Sequence, residues 1–279
     1  MNKEKMWTDK AVRLFLILVV VLSLTVEIIY IRSAMGVLML LLMWTPALCA
    51  LIANIYSIIE KKEKVSVRQF ISRLGFRKSK LIYILLGVLI PLVYLLIPYM
   101  VYWTIYPENF AYHGVSLLLI LQDVLPVTVI GTVINLLSAT GEEIGWRGFM
   151  VPALRERIGL KKTLIVTGLF WACWHLPILI WGGYMDQCPV WYRIPAFILC
   201  IVPIGIICGL LTVESNSVWP AAFLHAAHNN FDQAVLSVIS RGDKLMYYVS
   251  ETGFLTIICA WVIAIIMYVN YMRKHKEAD

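Results

Sequence analysis

Charge is scarce in this sequence. Of 279 residues only 15% are Asp, Glu, Lys or Arg, whereas 61% are hydrophobic. Soluble domains carry about a quarter charged residues, so the composition excludes an ordinary soluble domain and points to a membrane protein. Alternating strand-like segments are also missing. The apolar residues come in blocks of roughly twenty, which favours membrane helices over a β-barrel. No CxxC pair occurs among Cys49, Cys173, Cys188, Cys200, Cys208 and Cys259, so neither a disulfide framework nor a zinc knuckle is indicated. Phosphate-binding glycine loops and aromatic-interleaved basic patches are absent too. The formal charge of +7 therefore gives no reason to expect a nucleic-acid partner. The basic start MNKEKMWTDKAVR leads into the first apolar block without a small-residue cleavage site, and that block reads as an uncleaved span.

What is present is a series of eight candidate spans, roughly 12–31, 35–59, 81–105, 115–140, 162–181, 191–213, 217–240 and 253–272. The expected fold is all-α, a polytopic transmembrane bundle in contact with the lipid bilayer. Lys and Arg crowd the second connection (EKKEKVSVRQFISRLGFRKSK), the fourth, and both ends of the chain, whereas the third (PENFAYHG) has none. By the positive-inside rule both termini are cytoplasmic; Arg32, Arg241 and Lys244 dilute the pattern without reversing it. The chain divides into N-terminal helices with a basic loop (1–114), a central helical core (115–240) and a last helix with a basic tail (241–279). VSVRQFISRLGF reads either as an amphipathic surface helix or as a solvated basic loop.

Polar side chains inside the spans are few. Glu27 and Asp123 lie near the outer ends of their spans, where water is within reach. The others gather on three segments. In SATGEEIGWRGF, a helix continuing through Trp146 puts Glu143 and Arg147 on one face, suited to an ion pair. Glu142 then points about 100° away and lacks that partner. His175, in GLFWACWHLPILIW, reads as a packed histidine bonded to a carbonyl or as a functional group. In WPAAFLHAAHNNFDQ, His225 and Asn229 share a helical face and His228 lies beside it.

Together these residues make a hydrolytic site. Glu142 and His175 suit the holding and deprotonation of a water, and His225 and Asn229 suit hydrogen bonding to an oxyanion. A divalent metal such as zinc is the other arrangement, with Glu142, His175 and His225 as ligands, although HAAH is not the HExxH of zincins. By helical rise, His225 lies about 12 Å and His175 roughly 20 Å inside the basic boundary, with Glu142 close to it. They meet only if a water-filled cavity enters from the cytoplasm or if the fifth span begins later than Lys162, and the later start is the expectation.

At these three segments the chain resembles the CPBP family, also called Abi, of CAAX-type prenyl endopeptidases and bacteriocin-processing or immunity proteins. EExxxR is matched by Glu142, Glu143 and Arg147, and HxxxN by His225 and Asn229. FxxxH is matched at His175, but Trp171 stands at the aromatic position and Phe170 is one residue out of register. The resemblance runs from about Leu117 to Phe231. It implies an intramembrane endopeptidase in a bacterial-type cell membrane, its site opening to the cytoplasm and its substrate a hydrophobic, prenylated peptide or membrane protein. Glu142, His175, His225 and Asn229 would be catalytic, with Glu143, Arg147, Trp171 and His228 in support. The competing readings are a non-catalytic immunity or regulatory protein that binds a bacteriocin or sensor kinase, and a proton-coupled transporter.

Overall fold

The computed structural model describes residues 5–276 as a bundle of helices. The first half contains α1 (Asp9–Ser33), α2 (Val37–Lys61), the short α3 (Val67–Arg73) and α4 (Leu81–Ile105). Next comes α5 (Leu117–Glu143), which runs through a π-helical turn (Ile144–Met150) into α6 (Val151–Ile158). A hairpin of α7 (Leu160–Trp174) and α8 (Leu176–Trp181) leads to α9 (Val190–Ser215) and α10 (Trp219–Asn229). A second π-helical turn (Asn230–Leu236), the one-turn α11 (Leu245–Tyr248) and α12 (Phe254–Lys276) complete the order.

Among the described residues, seven helices are long and apolar enough to cross a membrane. Eight spans were expected, and the seventh of them is a different object. Residues 217–240 form α10 and its π turn, ending at Leu236, and this helix packs inside the bundle against α4, α5 and α9. Its histidines, asparagines and aspartate make it too polar to face lipid, where unpaired polar groups are costly. Surrounding helices supply the partners that hydrocarbon lacks.

One face of the bundle gathers the basic connections. There Asp9 meets Arg157 at 2.7 Å, Lys10 meets Glu60 at 2.9 Å and Lys274 meets Glu214 at 2.6 Å, so the beginnings of α1 and α7 lie with the ends of α2, α9 and α12. On this face VSVRQFISRLGF is a helix with a capping box: Ser66 accepts from the Gln69 backbone, and Gln69 accepts from the Ser66 backbone. No residue of α3 is buried: Val67 and Ile71 are exposed, Phe70 packs partly against the core, and Leu74 just after the helix is buried.

Two features set the height of the polar residues. Gly159, with φ of 75°, closes the hairpin between α6 and α7 in a conformation that L side chains rarely adopt. Glu142 lies seventeen residues before it and His175 sixteen after, so both stand about 25 Å from the turn by helical rise. This corrects two expectations. Glu142 is deep rather than at a boundary, because the helix continues without a break to Ile158, for 42 residues. The next helix begins at Leu160, earlier than Lys162 and not later. Asp123 is exposed and accepts from the Tyr112 hydroxyl at 3.0 Å, in keeping with a solvated helix end. Glu27 departs from expectation: it is 1% exposed, its Oε1 lacks a hydrogen-bond partner, and it shares the buried stripe of α1 with Val19 and Ser23.

Candidate active site

Along α5 the environment changes abruptly. Leu117, Leu118, Val133, Ile134 and Leu137 are exposed apolar residues, and every residue from Ala139 to Val151 is buried. Glu142, Glu143 and Arg147 fall in that buried stretch, 1%, 0% and 2% exposed. The π turn starts directly after Glu143, and the other π turn directly after Asn229. Such turns insert a residue into the helical register and recur at functional sites. Close approach completes the frame: a Cβ on Gly205 of α9 would come within 2.9 Å of the Gly168 Cα on α7 and 3.5 Å of the Arg147 guanidinium.

The two adjacent glutamates have separate partners. Glu143 Oε1 accepts from the Arg147 guanidinium at 2.7 Å and from His225 Nδ1 at 3.0 Å. Glu142 Oε2 accepts from the indole N–H of Trp171 at 2.7 Å and of Trp146 at 3.1 Å. Trp171 binds the two systems together, because Arg147 also stacks on its ring 4.3 Å from the centroid. At the aromatic position of the second motif, Trp therefore supplies a hydrogen-bond donor that Phe lacks.

His175 donates from Nδ1 to the Trp171 carbonyl at 2.9 Å. In the neutral ring this leaves Nε2 as an acceptor, able to hold a water proton. His225, with Nδ1 committed to Glu143, likewise has Nε2 unengaged among the described residues. Asn229 is half-buried, and its amide has no hydrogen-bond partner among the described residues. Glu142, His175, His225 and Asn229 all line one cavity of about 90 Å³. Four polar side chains from three separated segments thus converge inside an apolar bundle.

Residues 124–231 match the family model for type II CAAX prenyl endopeptidases, Rce1-like. This segment is similar to that family. Over 145 residues the chain is 33% identical to the CAAX prenyl protease 2 of Methanococcus maripaludis, an alignment covering 50% of this chain and 50% of that relative. The chain therefore matches about half the length of the curated relative. The matched segment begins inside α5, ends in the π turn after α10 and contains all three motifs.

A second polar chain, which sequence reasoning missed apart from His228, joins residues inside the matched segment to others outside it. His228 donates from Nε2 to Glu251 Oε1 at 2.9 Å and accepts at Nδ1 from the Tyr94 hydroxyl at 3.0 Å. Glu251 Oε2 accepts from the Tyr184 hydroxyl at 2.5 Å, and Gln233 donates to that same hydroxyl oxygen at 3.1 Å. Tyr184, Gln233 and Glu251 line the cavity alongside His228. The only signal in the sequence is a glutamate just before the last span, in SETGF. Tyr94 sits in an apolar run, where nothing distinguishes it from a packing residue.

Among the described residues no three His, Cys, Asp or Glu side chains gather as a metal shell. Glu142 Oε2 is held by two indoles, and His225 Nδ1 by Glu143. The three residues of the zinc arrangement, Glu142, His175 and His225, line a common cavity, and His225 Nε2 is unengaged among the described residues.

Proposed function

We propose that the chain is an intramembrane endopeptidase that cleaves a hydrophobic, lipidated peptide or membrane protein, with its basic face and both termini in the cytoplasm. Glu142 and His175 hold a water between them, and Glu142 takes its proton as the oxygen attacks the scissile carbonyl. The oxyanion that forms accepts from Asn229 Nδ2–H and from His225 Nε2–H. Donation from both nitrogens requires the doubly protonated His225 ring, whose charge the Glu143 carboxylate offsets at 3.0 Å. The carbon–nitrogen bond then breaks and the leaving amine takes its proton back from Glu142. Two products result, a carboxylic acid and an amine, which become carboxylate and ammonium as the acid's proton passes to the amine, and the four side chains return to their starting state.

The observation that carries this reading is the convergence of Glu142, His175, His225 and Asn229 on one cavity, with His225 Nε2 and the Asn229 amide unengaged. The name of the archaeal relative supports a prenylated substrate. Membrane-protein fragments compared between cells producing wild type and Glu142→Gln at equal levels provide the test. New termini found only with wild type are the expected outcome. An unchanged fragment pattern, with the cellular phenotype kept in the variant, would replace the protease with a non-catalytic binding partner. The steps above use protein groups alone, so a chelator should leave cleavage intact, and loss of cleavage restorable by zinc would bring back the metal arrangement.

A further inference from the structure

A second cavity, of about 390 Å³, opens near the basic face and lies apart from the one just described. Its size falls within the ~300–1,000 Å³ of small-molecule sites. The walls include Arg73, Arg77, Arg147 and Arg155, with Glu156 as the carboxylate among them. Two of these guanidinium groups are matched by acids: Arg73 pairs with Glu63, and Arg147 with Glu143. The other two have only neutral partners. Arg77 donates to the Ser72 hydroxyl at 2.8 Å and to the Asn216 side chain, and Arg155 donates to the Tyr271 hydroxyl at 3.3 Å. Glu156 is drawn off by the Met6 backbone N–H at 3.1 Å and lies 4.0 Å from Arg157.

Partial burial pulls the Arg77 guanidinium below its ordinary value, the mark of a cation removed from water without a counter-charge. Arg147 adds an independent sign. It is 2% exposed, it borders this cavity, and its buried Nε–H has no acceptor. Native structures pair almost all such donors, so the bordering cavity is where an acceptor for this one would enter. Topology alone asks for Lys and Arg at this face. It does not ask for guanidinium groups lining a common hollow in place of solvated lysines.

We propose that this cavity binds a phosphate group, presented by an anionic phospholipid headgroup or by free phosphate. Planar guanidinium forks suit phosphate oxygens, which accept two parallel N–H bonds from each. Because Arg147 also holds Glu143, and Glu143 holds His225, an anion here rests directly behind the residues that line the smaller cavity. The binding itself is independent of the hydrolytic reading.

The test uses the full chain in nanodiscs of phosphatidylcholine, alone or with phosphatidylglycerol, and reads the melting temperature. Phosphatidylglycerol should raise it for wild type and for Lys78→Gln/Lys80→Gln, which removes the same charge from exposed side chains near the cavity. In Arg77→Gln/Arg155→Gln the rise should vanish, with half-saturation at least about tenfold weaker. If inorganic phosphate produces the rise in neutral nanodiscs, the source is the free anion. Should the double variant not fold, Arg155→Gln alone serves, since that side chain is exposed. No rise with either probe, or an equal loss in the lysine variant, would overturn the proposal.

Discussion

His225 and His228 stand three residues apart on α10, each hydrogen-bonded to a buried glutamate, yet the two regions are built for different ends. Around His225 the carboxylate is shared with a cation: Glu143 holds Arg147 and the imidazole together, and Nε2 of the ring stays unengaged. Around His228 every ring nitrogen and both carboxylate oxygens are occupied, by Tyr94, Glu251 and Tyr184. A saturated chain of this kind fixes positions, because each member is satisfied by its neighbours. A ring with one nitrogen left over has something to offer a substrate. The same two residue types, one helical turn apart, are divided by their partners.

The comparison can be broken first at Glu142. Glu142→Gln keeps shape and removes the proton acceptor, so cleavage of a lipidated reporter peptide should fall by about 10²–10⁴. Thermal unfolding should stay close to wild type. Asn229→Ala comes next, with turnover reduced by about 10²–10³ through loss of an oxyanion donor, and little change in stability. An Asn229→Ala enzyme of wild-type rate would move the oxyanion site elsewhere.

Glu143→Gln should lower turnover, because it removes the carboxylate that offsets the His225 charge, and it should lower stability as well. It strands the Arg147 charge in the bundle, which costs about 3–5 kcal/mol and is read as an earlier unfolding transition in detergent. The smallest effect belongs to the second region. Tyr184→Phe deletes one hydrogen bond to Glu251 and should cost about 1 kcal/mol, with activity within about tenfold of wild type. If Tyr184→Phe silences the enzyme as thoroughly as Glu142→Gln, the division between the two histidine regions fails.

Much of this was legible beforehand. The Glu143–Arg147 pair followed from four-residue spacing, and the isolation of Glu142 from the 100° step between neighbours on a helix. The His175 contact with a backbone carbonyl is the packed geometry read from its apolar surroundings, and its place on the cavity adds the second role. Depth was misread, because the apolar run ends near Leu137 while the helix does not. Hydropathy reports where lipid stops, and α5 turns from lipid into protein at Ala139 without stopping. Glu27 was misplaced for a related reason: nearness to a helix end says nothing about which side of α1 faces α2.

The sequence by itself determined the helical class and most of the residues able to do chemistry, since these depend on local periodicity and on the cost of charge in hydrocarbon. Tertiary structure alone decided the rest. It sank α10 into the core, turned Trp171 into a donor for Glu142 and joined His228 to Glu251 across 23 residues of chain. Partners on separate helices leave no trace in spacing. A buried polar group takes whatever partner packing brings to it, and only the packed bundle fixes which one that is.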